Sequence, residues 1–540
     1  MKTIFAILSM LAALVGPAAE WQFAVETGQR DGRAFLWIPP ACEQVRGVII
    51  GQQVILEACV FEDPQIRAAA ARENLALVLV VPAAIGYDEF GPQGKGAATF
   101  QGLLDRLAAV SGYGEIAQAP FLTIGHSGGA IFAWRAAYWK PDRCLGVIGL
   151  HAAPIGPPAH DEKATIDGIP VLDISGQYES WGDPQRPADH HARWVRGDLL
   201  AYRAKWHRAL ASELVQPGAT HFNWDESLAR YTAMFIEKAA HARLPAAAPQ
   251  AGQMPKLRQI PLESGWLTDC SLLAAPRHPA APYKDYAGDP SLAFWHLDGE
   301  LARATESYQA QDRGKELQLA TFVEDGKPVP PAWIEGLKFS PQADGMTVKL
   351  QAGFALETPP EFSFPAKRTL GHAEGPFHFR LIGGWAGGGE QLGPDAFRIK
   401  FDRFCFCGRA GSLMIMASHP GDAKYAFAEQ PCSISFPAKN TKGKPQKIEF
   451  APIPDQAVGA GPLELRATAD SGLPVEFCVL AGPAEIEGRT LKFARIPPRT
   501  QFPVKVTVIA YQWGRSIEPL TQSAEPVFQT FLISAAGLPR

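Results

Sequence analysis

Residues 121–130 read FLTIGHSGGA: a short β-rich run, then Ser127 among Gly125, His126, Gly128 and Gly129, then the helical pattern GAIFAWRAAYWK. Glycines around a serine at a strand-to-helix turn suit a sharp bend that presents the hydroxyl, because only small neighbours let strand and helix pass so closely. A hydroxyl stays a poor nucleophile until a base takes its proton, and that base must be oriented by a carboxylate. The chemistry this stretch could do is attack on an acyl carbonyl.

The partners are expected downstream, in the order serine, acid, histidine. The run IPVLDIS leads into Gly176, Gln177, Tyr178 and Glu179, which puts an acid just past a strand end, and LVQPGATHFNW places His221 in a later loop. Glu179 is the expected orienting acid and His221 the expected base. Asp183, farther along the same loop, and Asp173, inside the strand, stay open as acids, although Asp173 reads more naturally as a satisfied buried carboxylate. His126 should point away from the hydroxyl and pack. His190 and His191 with Asp189 could be read as a metal pair, but adjacent side chains diverge and a solvated helix start is the simpler reading.

Attack creates an oxyanion that needs about two backbone donors. Gly128 follows the nucleophile and should supply one; Gln52 or Gln53 of GQQV, after the strand GVII, should supply the other. Aromatic residues gather near the expected site: Tyr87 and Phe90, Tyr178 and Trp181, Phe222 and Trp224. Tyr87, Tyr178, Trp181 and Trp224 are the expected substrate-binding set, since flat rings on a cleft rim suit sugar or phenolic faces; core packing is the alternative.

These residues need a scaffold. Over residues 20–245, unbroken apolar runs such as ALVLVV and CLGVIGL alternate with amphipathic stretches, the mark of an α/β unit with a mostly parallel sheet covered on both faces. Residues 246–261, rich in Pro, Ala and Gln, read as a linker. Beyond it two-residue alternation takes over, with Met346, Val348 and Leu350 in one run and Phe397, Ile399 and Phe401 in another, so 262–440 is expected to be β-rich. A second junction in PAKNTKGKPQ precedes a β-rich segment at 447–535.

Totals bound the partners. With 51 Lys and Arg against 55 Asp and Glu, a net charge of -4 gives no electrostatic case for nucleic acid or an anionic membrane. Residues 1–19 hold one lysine, an apolar run and then Gly16, Ala18 and Ala19, the pattern of a secretory signal peptide; a secreted or periplasmic protein with no membrane span is expected. Export permits one or two disulfides among the eight cysteines, with Cys478 read as a buried free thiol. The CFC at 405–407 lacks a matching ligand pair for a metal.

With GHSGG, the acid after IPVLDIS and the histidine of GATHF in place, residues 21–243 resemble the α/β-hydrolase superfamily, nearest to secreted bacterial serine esterases. Residues 447–535, through IPDQ, ATADSGLPVEF and GPAEIEGRTL, resemble the Ig-like β-sandwich modules of exported bacterial proteins. The first resemblance implies a triad of Ser127, Glu179 and His221 and no cofactor or metal. Two departures stand out: the acid is Glu where Asp is commoner, and no cap insertion separates CLGVIGL from IPVLDIS, which favours an open cleft. The expected activity is hydrolysis of carboxylic esters, first of all acetyl or feruloyl-type esters of extracellular carbohydrate, on a small-molecule or polysaccharide substrate. A general carboxylesterase or polyester depolymerase is the alternative within enzymes, and a non-catalytic glycan-binding or adhesion protein the alternative from another class. Oligomeric state is left open.

Overall fold

A computed structural model describes residues 20–535 except 87–89, 92, 153–155, 180–188, 207, 247–251, 359–367, 383–387 and 409–410. The expected leader therefore lies outside the described residues, as do Tyr87, Trp181 and Asp183.

The apolar runs form eight strands: β1 (Phe23–Glu26), β2 (Arg33–Trp37), β3 (Gly47–Gln52), β4 (Leu75–Val81), β5 (Phe121–His126), β6 (Cys144–Leu150), β7 (Pro170–Gly176) and β8 (Leu210–Gln216). They make one sheet in the order β1-β2-β4-β3-β5-β6-β7-β8. β2 runs antiparallel to β1 and β4, and the pairings from β4 across to β8 are parallel. The fold is α/β, as the alternation of runs implies.

Alternate residues of a strand face opposite ways, which explains why β4 is apolar throughout. Ala76, Val78 and Val80 share a core with Phe100, Leu103 and Leu104 of α3 (Gly96–Ser111) and Phe132 and Trp134 of α4 (Gly129–Trp139). Leu75, Leu77 and Leu79 point the other way, into a core with Ile66 and Ala69 of α2 (Pro64–Arg72) and Leu228, Phe235 and Ile236 of α6 (Glu226–Arg243). Each such fully buried Leu or Phe contributes about 1.5–3 kcal/mol. α1 (Glu57–Glu62) precedes α2 in the chain, and α5 (His190–Lys205) lies between α4 and α6. Caps fix helix starts: the Asp63 carboxylate accepts from Gln65 N ahead of α2, and the Asp225 carboxylate from Leu228 N ahead of α6.

The second half is built from smaller, mostly antiparallel sheets. The two alternating runs picked out in the sequence pair with each other, Thr347–Lys349 against Ala396–Arg398 with Val348 opposite Phe397. A four-stranded sheet orders Glu335–Leu337, Ala428–Ser435, Ser412–His419 and His378–Leu381. Residues 448–534 supply nine further strands, the longest being Val504–Tyr511 and Val527–Ser534.

Two expectations need correction. The β-rich segment also holds a helix, α7 (Gly299–Gln309), started by Asp298, whose carboxylate accepts from Glu300 N and Leu301 N, with Leu301 and Tyr308 on its buried face. No disulfide links the eight cysteines in this structure, where one or two were expected. The CFC pair lies at a short 3₁₀ turn capped by Asp402, whose carboxylate accepts from the backbone of Phe404 and Cys405 and from the Cys405 thiol. Cys478 is half-buried, and burial raises its thiol pKa. No helix among the described residues is long and apolar enough to cross a membrane.

Candidate active site

Ser127 sits between β5 and α4 with φ of +52°, a left-handed conformation that an L-residue rarely adopts without being held there. Its neighbours hold it. A Cβ on Gly125 would lie 2.2 Å from the Gly129 carbonyl oxygen, and one on Gly129 would lie 2.4 Å from a Glu57 oxygen. The glycines are therefore required by close approach. Gly128 is the N-cap of α4, where backbone N–H groups have no partner within the helix.

Glu179 and His221 converge on this bend from β7 and β8. His221 Nδ1 is 2.7 Å from Glu179 Oε2, and both side chains are almost fully shielded from water. His126 turns its ring away into the core, where its Nε2 is 2.9 Å from the His221 carbonyl oxygen and its ring centroid 4.9 Å from that of His221. His221 thus packs on the residue that precedes Ser127, and its Nε2 has no hydrogen-bond partner among the described residues. Such contacts commonly close only when substrate binds.

Two histidines that the sequence reading did not place on the acid also hold Glu179. His151, just after β6 and at φ of +51°, brings Nδ1 to 2.8 Å from Glu179 Oε1, and its Nε2 is 3.1 Å from the Asn223 carbonyl oxygen. His191, at the start of α5, has Nδ1 3.2 Å from Glu179 Oε2, so it is no solvated helix start. The Gly176 N–H donates to the same carboxylate. Burial alone would raise the Glu179 pKa; the charges of His191 and His151 and hydrogen bonds from His151 and His221 outweigh it and hold the carboxyl well below its ordinary range. A signal for His151 did exist: it is a polar residue directly following an apolar parallel strand, at the same sheet edge as Ser127.

The expected oxyanion donors divide. Gln53 N–H donates to Val80 O at 2.8 Å and its side chain joins Ile55 O and Ala58 N, so its donors are spent. Gln52 is fully buried and its carboxamide ties Ala84 and Ile85 to β3. Of the two backbone donors it is that of Gln53 which is spent, and both side chains brace the loop. Glu57 does the same from below, accepting from Val54 N, Ile55 N and His126 N at 2.8–2.9 Å; burial pushes it up to about 7 against those hydrogen bonds. Gly128 is the expected donor that the geometry leaves in place.

The aromatic rim is corrected too. Trp224 is a core residue whose indole N–H donates to Asp63 at 3.1 Å, Phe222 and Phe90 are buried, and Tyr178 is half-buried against Leu319 and Leu370. Packing claimed these rings, as aromatic residues do by default.

What the sequence did not show is that the β-rich segment grips the histidine loop. Glu429 Oε1 accepts from Thr220 N at 2.8 Å and Thr220 Oγ1 at 3.0 Å, and Arg380 donates to Asn223 Oδ1 at 2.5 Å and to Glu429 Oε2 at 3.3 Å. A Cβ on Gly218, at φ of +68°, would press on the Phe427 carbonyl oxygen at 2.4 Å. Trp333 packs on both His221 and Phe222, with ring centroids 5.2 Å and 4.9 Å away. His221 is thus set between two parts of the chain more than 100 residues apart, as the sequence separations of 209 for Thr220 to Glu429 and 157 for Asn223 to Arg380 state.

No family model matches the chain, and no curated protein does. Solved structures are similar over part of it. The poly(3-hydroxybutyrate) depolymerase LpqC of Bordetella parapertussis is 17% identical, with a TM-score of 0.30, over 42% of this chain and 93% of that one. A carboxylesterase of Mesorhizobium loti is 16% identical, with a TM-score of 0.28, over 39% and 98%. An S-formylglutathione hydrolase of Agrobacterium tumefaciens is 13% identical, with a TM-score of 0.29, over 42% and 98%.

Proposed function

We propose that the chain is an exported serine hydrolase of the α/β-hydrolase superfamily that cleaves carboxylic esters. The observation that carries this reading is the buried Glu179–His221 contact of 2.7 Å beside a serine held at φ of +52°. His221 Nε2 takes the Ser127 proton as Oγ attacks the ester carbonyl carbon, and Glu179 steadies the imidazolium that results. The Gly128 N–H faces the oxyanion. The tetrahedral centre collapses, the C–O bond to the alcohol breaks, and His221 returns the proton to the departing oxygen. Water, deprotonated by the same imidazole, then releases the acid from Ser127.

Acyl esters of extracellular carbohydrate are the proposed substrates, with residues 447–535 as an Ig-like spacer and residues 1–19 directing export. Support for the substrate class comes from the short stretch between β6 and β7, which leaves little chain for a cap, and from the partly exposed Trp333 ring on the base. The wild-type protein should hydrolyse an activated short-chain ester and be labelled by a fluorophosphonate. Ser127→Ala should lose labelling and drop turnover on the order of 10⁴-fold. Retention of both signals in Ser127→Ala would return the non-catalytic glycan-binding reading to first place.

A further inference from the structure

His221 fixes one direction in the cleft. In the mechanism above, its Nε2 proton goes to the alcohol oxygen as the ester C–O bond breaks, so the leaving alcohol must lie over the imidazole and the acyl group away from it. An exposed side chain packed on that imidazole is therefore a candidate to meet the alcohol.

That neighbour is Trp333. Its ring centroid is 5.2 Å from His221 with the planes tilted by 42°, and it is 39% exposed. Among the described residues, the large apolar side chains that reach solvent include ten, and Trp333 is the one packed on the base. Its backbone is also held firmly. Gln430 Nε2 donates to the Ala332 carbonyl at 2.6 Å, and Glu335–Leu337 pairs in parallel with 432–434. Glu335 is buried and accepts from Thr321 Oγ1 and Phe322 N, each at 3.3 Å. An aromatic side chain on a fixed backbone loses little freedom when a ring settles on it.

We infer that Trp333, from the β-rich segment, forms the leaving-alcohol subsite and selects esters whose alcohol presents a flat ring face, a sugar or a phenol. The inference rests on the ester-hydrolase reading. It assigns the β-rich segment a part in substrate choice that no feature of its own sequence indicates.

Acetate esters with different alcohols test it, because all pass through one acetyl-enzyme. In Trp333→Ala, kcat/KM for phenyl acetate and for an acetylated methyl xyloside should fall about five- to ten-fold further than kcat/KM for ethyl acetate, chiefly through KM. Trp333→Phe should keep most of the wild-type preference. Deacetylation, measured by single turnover, should slow no more than ethyl acetate turnover does, since the alcohol has left by then. An equal loss on all three esters would make Trp333 only a brace for His221 and overturn the subsite. No loss on ring alcohols would overturn it as well. Fluorophosphonate labelling of the wild type separates the two levels: no labelling and no turnover of any ester removes the hydrolase reading, and labelling with a flat alcohol profile removes the subsite alone.

Discussion

Glu179 lies just past the end of the strand that holds Asp173, and both are shut away from water, yet their surroundings shift their pKa values in opposite directions. Asp173, inside β7, stands opposite Glu213 of β8; neither Asp173 oxygen has a hydrogen-bond partner among the described residues, nor does Glu213 Oε1. Burial, reinforced by the charges of Glu213 and Glu179, pushes Asp173 well above its ordinary range, and burial pushes Glu213 up to about 8. Glu179, one turn past the strand end, meets three imidazoles and a free N–H and is held ionised. Inside a parallel sheet the ladder uses the backbone donors, so a carboxylate there finds none and becomes neutral. At the edge, turns release N–H groups and loops bring side chains from elsewhere, so charge can be kept and used.

The largest test of this contrast is Glu179→Gln. A neutral amide cannot stabilise the His221 imidazolium and can impose the wrong tautomer, so kcat on an activated ester should fall about 10³- to 10⁴-fold with the melting temperature little changed. A loss below ten-fold would remove Glu179 as the orienting acid.

Glu213→Gln probes the interior. Because the folded-state pKa of Glu213 is raised to about 8, the folded protein binds a proton that the unfolded chain has lost, and stability declines as pH climbs from the ordinary carboxylate range through about 8. The substitution should remove up to about 4 kcal/mol of that decline, read from urea unfolding at pH 5 and pH 8.5. Glu57, pushed up to about 7, titrates in the same direction and keeps part of the slope. Parallel pH curves for wild type and Glu213→Gln would show that Glu213 ionises normally in the fold.

The smallest expected effect lies at the interface. Glu429→Ala leaves the buried Thr220 N–H without its acceptor, which should cost about 1–3 kcal/mol and lower kcat/KM several-fold through a loosened His221 loop, with Glu429→Gln restoring much of both. Calorimetry together with ester kinetics reads the two at once. Unchanged kinetics in Glu429→Ala would mean that the loop holds its own shape.

Much of the catalytic half was legible. Strands of a parallel sheet are apolar on both faces, and that marks them in the sequence even without an alignment; GHSGG is tied to its bend by contacts within a few residues, so its meaning is local. Gln53 misled because a backbone donor shows its partner only in the folded ladder, here Val80. The aromatic rim misled for a related reason: Trp224 and Phe222 follow His221 directly, yet proximity in sequence says nothing about which side of the chain faces the core. Helix α7 was hidden because its roughly three turns bury only Leu301, Ala302 and Tyr308 as apolar side chains beyond glycine, a weak signal against a β-rich background.

The amino-acid sequence by itself determined the α/β sheet and the strained bend at Ser127, since these depend on strand period and glycine sterics. Only the tertiary structure decided that three histidines share Glu179, that Asp173 and Glu213 face each other without donors, and that Trp333, Arg380 and Glu429 close on the loop of His221. Those contacts join side chains far apart along the chain, and neither residue type nor spacing encodes where a remote segment will come to rest; packing of the two halves does.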